Sequence, residues 1–228
     1  SRKSYFLQIM KSGILASTAG VFGAALFWLF GFKAVAMWMG PEGVGLFSQF
    51  RQMIQAATVG ATFGGTNPVV QGLAECVDEP SRRRFRAMAL RYIGIAGAGT
   101  ALLIALGAQP LSLLLLSSAD PAFVAAVRWV ALAVLLNIGG TYALAVLNGY
   151  RSYRHLALAQ VAGPGALVLM LAGYWRSGMD AGPGLLAASF ILCFGVTCLV
   201  AIYGVSRLPG MEGDQQPGAL SRIARRTF

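Results

Sequence analysis

Acidic residues are scarce in this chain: only 8 Asp and Glu occur among 228 residues, and all charged residues together make up 11%. Soluble domains carry about 25% charged residues. Hydrophobic residues reach 57% and the mean hydropathy is +0.66. This composition excludes a disordered chain and argues against a soluble globular domain. It predicts an all-α integral membrane protein.

Cysteine and histidine are almost absent as well. The chain has Cys76, Cys193, Cys198 and the single His155. They are too few and too scattered for a disulfide framework or a metal site. The sequence also lacks a phosphate-binding P-loop and any recognisable pairing of a nucleophile with a base. We therefore predict no cofactor, no metal and no enzymatic activity.

Six stretches are long and apolar enough to cross a membrane, which takes about 20 residues. Chain breakers such as Gly40-Pro41, Pro80, Pro121 and Gly182-Pro183 separate them. The predicted spans are approximately residues 13–38, 44–73, 87–108, 123–147, 156–174 and 184–205. Together they make a six-helix domain over residues 1–208, and residues 209–228 form a basic cytoplasmic linker.

The cations are distributed asymmetrically over the loops. Of 18 Lys and Arg residues, 14 lie near the termini and in alternate loops, whereas the opposite loops hold only Arg176. The positive-inside rule therefore places both termini in the cytoplasm. The net charge of +10 is then a topology signal, and it gives no support to nucleic-acid binding. The 14 cations are Arg2, Lys3, Lys11, Arg82, Arg83, Arg84, Arg86, Arg91, Arg151, Arg154, Arg207, Arg222, Arg225 and Arg226.

Three cations fall inside the spans or near their ends: Lys33, Arg51 and Arg128. A cation at the centre of a membrane helix costs about 2.5–3.5 kcal/mol on insertion scales. None of the spans has an acidic residue in its middle, so internal salt bridges are not expected. The three cations indicate an anionic ligand or a watery cavity in the outer half of the membrane. Snorkelling to the membrane surface is the alternative for Lys33 and Arg128.

The second span has one polar side. Its polar residues recur every three or four positions and fall within an arc of about 80°. Such a face suits a cavity or a helix contact joined by hydrogen bonds. The full charge of Arg51 favours the cavity, because a helix contact does not require a charge. The stripe comprises Ser48, Arg51, Gln55, Thr58, Thr62 and Thr66, with Gln52 at its edge.

Two motifs in this region resemble the Wzx-type flippases, which belong to the polysaccharide transporter branch of the MOP superfamily. They are Gly40-Pro41-Glu42-Gly43-Val44-Gly45 and Phe50-Arg51-Gln52, and residues 127–132 and 147–151 match as well. The group includes the O-antigen and lipid III (enterobacterial common antigen) flippases. The resemblance implies two six-helix lobes around a central cavity, as in MATE-like transporters. This chain would carry the N-terminal lobe.

The resemblance also implies a function. Such a protein flips an undecaprenyl-pyrophosphate-linked oligosaccharide to the outer leaflet of the bacterial inner membrane by alternating access. Lys33, Arg51 and Arg128 match positions where the family keeps basic residues, in a cationic cavity. Its partners would be membrane lipid, a second six-helix lobe, and glycan polymerase or chain-length machinery. The predicted substrate-binding residues are Arg51, Lys33, Arg128, Ser48, Gln52, Gln55, Thr58 and Thr62.

Three other functions compete with this interpretation. A multidrug exporter of the same superfamily would need cavity carboxylates for organic cations, and the spans have none. A non-transporting scaffold for glycan assembly would have no use for a charge such as Arg51. A peptidoglycan-precursor flippase stays open on the sequence alone.

Overall fold

The computed structural model describes residues 2–62, 64, 66–180 and 182–208, with side chains from residue 15 onward. Helices account for most of these residues, and none of them forms a strand, in agreement with the predicted all-α class. The helices are α1 (Arg2–Ala61), α2 (Asn67–Glu75), α3 (Glu79–Leu106), α4 (Ala108–Leu116), α5 (Pro121–Gly149), α6 (Tyr153–Ser177) and α7 (Pro183–Ser206). The predicted linker at residues 209–228 lies outside the described residues.

Helix α1 folds back on itself at Gly40. That glycine has φ 69° and ψ −163°, a conformation that side chains rarely adopt, and Pro41 follows it. The rings of Trp28 and Phe47 lie 6.1 Å apart, whereas 19 positions along a straight helix would separate them by about 28 Å. A Cβ at Gly43 would collide with Met39, so the turn also needs glycine there. Two antiparallel arms result, residues 2–39 and residues 41–61.

Five of the described helices are long and apolar enough to cross a membrane, and α1 counts once among them. The sequence predicted six spans because Gly40-Pro41 divides this region in two. Counted from residue 15, the first arm has 25 residues, and the second arm has 21. Both lengths lie within the range of about 17–25 residues that one membrane crossing takes. The last three spans were predicted within about three residues of α5, α6 and α7, whereas α3 begins eight residues before the predicted residue 87.

The predicted second span, residues 44–73, is interrupted in the structure. Helix α1 ends at Ala61 and α2 begins at Asn67. Gly64 between them has φ 101°, which no continuous helix allows, and Pro68 lies in the first turn of α2, where its missing N–H costs nothing. The average hydropathy of the stretch concealed these local breaks. The membrane-spanning part is therefore shorter than predicted.

Small residues allow the long helices to pack closely. Helix α5 lies at the centre of the bundle and buries twelve of its residues. A Cβ at Gly163 of α6 would collide with Thr197 of α7 and with the carbonyl oxygen of Cys193. A Cβ at Gly20 would lie 2.7 Å from the Cα atom of Ala157, where the first arm of α1 meets α6. Close backbone approach at small residues is the usual basis of helix association in membranes.

A tyrosine joins the α5–α6 loop to the start of α3 at the predicted cytoplasmic end. Tyr150, directly after α5, donates a hydrogen bond of 2.7 Å to Glu79 Oε1 in the first turn of α3. The guanidinium carbons of Arg82 and Arg86 lie 5.7 Å and 5.3 Å from the centroid of the Tyr150 ring. Burial, together with the hydrogen bond to Glu79, raises the pKa of Tyr150 to about 12. This contact fixes the α5–α6 loop against the start of α3.

Candidate functional site

Arg51 lies against aromatic rings inside the helix bundle. Its guanidinium carbon is 4.3 Å from the centroid of the Trp28 ring and 5.7 Å from that of Phe32. Both aromatic residues belong to the first arm of α1, and the fold-back at Gly40 brings them opposite Arg51. Phe47 and Phe190 extend the cluster, with ring centroids 4.8 Å apart. An arginine over an aromatic face gains roughly 0.5–2 kcal/mol, more as water is excluded.

Within the part of the chain that the structure describes, no carboxylate pairs with Arg51. The acidic residues of that part lie at or near the ends of the helices that cross the membrane or between helices, namely Glu42, Glu75, Asp78, Glu79, Asp120 and Asp180. Arg51 Nε is buried and has no hydrogen-bond partner among the described residues. The aromatic rings therefore hold the guanidinium, and the buried Nε–H is left without a partner among the described residues.

Arg51 lies on the second arm of α1, after the turn at Gly40. It follows Gly40 by 11 positions, about 16 Å of helix, and a hydrocarbon core is about 30 Å thick. If the turn at Gly40 marks the membrane surface, Arg51 lies near the middle of the bilayer, and its predicted place in the outer half stays a prediction. Trp28, 12 positions before Gly40, lies at the same depth on the first arm, as their contact requires. An arginine at that depth would be too far from either surface to reach it by snorkelling.

The polar stripe divides into two parts. Thr58 and Thr62 are buried, with 5% and 3% of their surfaces exposed. Thr58 Oγ1 donates to the Ile54 carbonyl oxygen at 2.7 Å and accepts from Asn137 Nδ2 of α5 at 2.9 Å. Thr62 Oγ1 donates to the Thr58 carbonyl oxygen at 2.7 Å. These two threonines are thus buried among the described helices, and their predicted contact with substrate stays a prediction.

The other part of the stripe is accessible. Ser48 is half-buried, and Gln52 and Gln55 are exposed. The rest of the exposed face of this arm carries mostly small or polar residues, namely Gly45, Gln49, Ala56, Val59 and Gly60. On α3, by contrast, Leu102, Leu103 and Leu106 are 58–75% exposed, as expected of a surface in lipid. We call this accessible side of the second arm, which carries Gln49, Gln52 and Gln55, the glutamine face. It is suited to a watery cavity or to contact with another protein surface.

The structure does not gather the three intramembrane cations into one cluster. Lys33 lies exposed on the first arm of α1, and Arg128 lies exposed on α5 beside Trp129. Among the described residues, no hydrogen bond or shared ring contact joins either of them to Arg51. Their roles as substrate-binding residues stay predictions, and Arg51 is the cation that the fold places in an enclosed site.

Sequence reasoning missed the partners of Arg51 and of Thr58. Trp28 looks like one more apolar residue of the first span, and Asn137 is the one amide in the middle of α5, since Asn148 lies at the end of that helix. The amide was a usable signal, because a lone polar residue in a membrane helix usually faces another helix. No feature of the sequence distinguished Trp28 from the other apolar residues of the first span.

A groove opens beside the glutamine face, between the second arm of α1 and helices α3 and α4. Its volume is about 840 Å³, and its walls are mainly apolar. Its polar residues are Gln49 and Gln52 of α1 and Thr100 of α3. Among the described residues, no group of three or more His, Cys, Asp or Glu is placed to hold a metal ion.

The helices and this site define a class: the chain is a multi-pass helical membrane protein with an arginine held among aromatic rings inside the bundle. It is 35% identical over 161 residues to the lipid III flippase of Escherichia coli (strain K12). The lipid III flippase of Shigella flexneri gives the same identity over the same length. The likeness supports a flippase family.

The matched region covers 70% of this chain but 37% of each of these flippases. The chain therefore matches little more than a third of the length of these curated relatives. No model of a protein family matches the chain, and no solved structure matches it.

Proposed function

We propose that the chain is the N-terminal lobe of a Wzx-type flippase in the bacterial inner membrane. The lobe would cross the membrane six times, because the two arms of α1 count separately, and both termini would face the cytoplasm. A second six-helix lobe, from the same gene or another copy, would complete a central cavity. The likeness to lipid III flippases and the fold-back of α1 at Gly40 support this arrangement.

The proposed activity is the translocation of an undecaprenyl-pyrophosphate-linked oligosaccharide to the outer leaflet by alternating access. Arg51 carries the proposal, because it is a cation in an enclosed site whose Nε has no hydrogen-bond partner among the described residues. Its guanidinium can donate two parallel hydrogen bonds to a pyrophosphate. Ser48, Gln52 and Gln55 lie on the accessible side of the same arm, where they can bind the glycan through hydrogen bonds.

Complementation tests this function directly. The full natural protein and its variants are expressed in a flippase-null strain, and surface glycan is normalised to the amount of protein in the membrane. We expect Arg51→Ala to lose activity by about tenfold or more, the cost of a charge-assisted hydrogen bond, and Arg51→Lys to retain part of it. Arg176→Ala, which removes an exposed arginine at the end of α6, is the matched control. Wild-type display by Arg51→Ala at a normal protein level would refute the role of Arg51.

A further inference from the structure

One exposed side of α3 changes from charged to apolar along its length. Seven exposed residues lie there within an arc of about 80°, because successive helix positions are about 100° apart. We call them the exposed row of α3. From the start of the helix they are Arg84, Met88, Arg91, Ile95, Ala98, Leu102 and Leu106. After Arg91 the exposed row carries no polar residue.

Arg91 lies where the apolar part of the exposed row begins. Arg91 and Leu106 are 15 positions apart, about 23 Å of helix, and a hydrocarbon core is about 30 Å thick. The apolar part of the row therefore accounts for most of one membrane crossing, with Arg91 at its edge. Under the predicted topology the start of α3 is cytoplasmic, so this edge lies at the inner face of the membrane.

Helix geometry directs the Arg91 side chain toward the lipid head groups. The side chains of an α-helix lean toward its N-terminus, which in α3 is the predicted cytoplasmic end. Arg91 can thus keep its apolar stem on the hydrocarbon and its guanidinium among the lipid phosphates. The next residue, Tyr92, is 66% exposed, and tyrosine is enriched at this depth in membrane proteins.

Arg91 has no partner within the part of the chain that the structure describes. No hydrogen bond, ion pair or ring contact joins it to another described residue. Other arginines of the same helix do have neighbours in the protein. The guanidinium carbon of Arg86 lies 5.3 Å from the centroid of the Tyr150 ring, and Arg84 attracts the carboxylate of Asp78. An anion for Arg91 has to come from outside the described residues.

The surroundings of Arg91 favour lipid as the source of that anion. Ile95, Leu102 and Leu106 are 58–75% exposed, as expected of a surface in contact with acyl chains. The glutamine face of α1, which is suited to a protein contact, is a different surface. A protein partner would have to bring an acidic residue to the depth of Arg91, whereas anionic head groups occur throughout the cytoplasmic leaflet.

We propose that Arg91 binds the phosphate of an anionic phospholipid of the phosphatidylglycerol type in the cytoplasmic leaflet, with acyl chains along Ile95 and Leu102. Arg84, about 11 Å further toward the cytoplasm, adds to the positive potential of the site. A zwitterionic lipid carries an ammonium group that Arg91 repels, so the site prefers lipids with a net negative charge. This proposal uses the predicted topology but does not depend on Arg51 or on the proposed transport activity.

Photo-crosslinking tests the ligand. A benzophenone amino acid replaces Ile95 in the full natural protein, in nanodiscs that contain equal amounts of dioleoyl phosphatidylglycerol and dioleoyl phosphatidylethanolamine. Because the acyl chains are identical, the ratio of the two adducts, measured by mass spectrometry, reports the preference for the head group. We expect about five times more phosphatidylglycerol adduct, which corresponds to about 1 kcal/mol per arginine near an anionic surface. A ratio near one, or crosslinks to protein in place of lipid, would overturn the proposal.

Two variants distinguish a site at Arg91 from the general positive charge of the cytoplasmic end. With the same crosslinker at position 95, Arg91→Gln should bring the adduct ratio close to one. Arg83→Gln is the matched control and should leave the ratio near the wild-type value. Arg83 is also exposed on α3, but it lies about 80° away around the helix and about 12 Å nearer the cytoplasm. An unchanged ratio in Arg91→Gln, or an equal fall in both variants, would refute a lipid site at Arg91.

Discussion

The guanidinium carbon of Arg51 lies 4.3 Å from the centroid of the Trp28 ring, although the two residues are 23 positions apart in the sequence. A straight helix would separate their Cα atoms by about 34 Å. The fold-back at Gly40 therefore creates the contact. An aromatic face attracts a guanidinium without accepting hydrogen bonds from the N–H groups in its plane, so the rings hold Arg51 in position without pairing those donors.

Replacing Trp28 should weaken transport through Arg51. Trp28→Leu removes the aromatic face, which is worth about 0.5–2 kcal/mol, so the apparent KM for the lipid-linked substrate should rise by about twofold to thirtyfold. Trp28→Phe, which keeps a smaller ring, should give an intermediate value. Transport by the full natural protein in proteoliposomes, normalised to reconstituted protein, provides the measurement.

Trp38→Leu is the matched control for this series. Trp38 belongs to the same arm but pairs with Tyr174 of α6, at a distance of 5.9 Å between ring centroids. It should alter thermal stability without a selective rise in KM. An unchanged KM in Trp28→Leu, or the same rise in Trp38→Leu, would show that Trp28 does not position Arg51.

The hydrogen bond from Asn137 to Thr58 should stabilise the packing of α1 against α5. Thr58→Val removes the acceptor, and hydrogen bonds between membrane helices contribute about 0.6 kcal/mol on average and up to about 1.7 kcal/mol. We expect Thr58→Val and Asn137→Leu to be non-additive by this amount in a double-mutant cycle of unfolding in detergent. Thr62→Val is the control, because Thr62 is equally buried but donates only within its own helix. Additive effects of Thr58→Val and Asn137→Leu would mean that the bond contributes nothing measurable.

Several parts of this arrangement could be predicted from the sequence, because they depend on local chemistry. Gly40-Pro41 marked the turn of α1, since glycine permits a positive φ and proline ends the preceding helix. Arg51 stood out because a charge within an apolar run is costly. Pro121 and Pro183 marked the first turns of α5 and α7, as the structure shows.

Other parts could not be predicted, because they depend on the register between distant helices. The contact of Trp28 with Arg51 requires the two arms of α1 to meet at one depth, which no local pattern encodes. The burial of Thr58 and Thr62 depends on α5, so the polar stripe alone did not separate a cavity wall from a helix contact. The groove likewise needs three separate helices to form.

The predicted topology can be checked by cysteine labelling in intact cells. In a background without native cysteines, Ala119→Cys and Asp180→Cys should react with a membrane-impermeant maleimide, because they lie in loops that the positive-inside rule places outside. Arg83→Cys should react only after the membrane is permeabilised. All three positions are exposed, so differences in labelling report the side of the membrane. Labelling of position 83 but not of positions 119 and 180 in intact cells would reverse the topology.

The hydrogen bond from Tyr150 to Glu79 should make stability depend on pH in the alkaline range. Burial and this bond raise the pKa of Tyr150 to about 12 in the folded protein, whereas an unfolded tyrosine titrates near pH 10. Because the folded state favours the protonated phenol, the stabilisation is fully present below about pH 10 and is lost as the pH rises toward about 12. Tyr150→Phe should therefore be less stable than the wild type by about 1 kcal/mol at pH 8, and the difference should disappear near pH 12.

Thermal unfolding in detergent between pH 8 and pH 12 measures this difference. Tyr92→Phe serves as the matched control, because Tyr92 of α3 is 66% exposed. This change removes a phenol hydroxyl but leaves the hydrogen bond between Tyr150 and Glu79 in place. Its unfolding temperature should follow that of the wild type across the range. If the difference between the wild type and Tyr150→Phe stays constant from pH 8 to pH 12, ionisation of Tyr150 does not control the contact between the α5–α6 loop and α3.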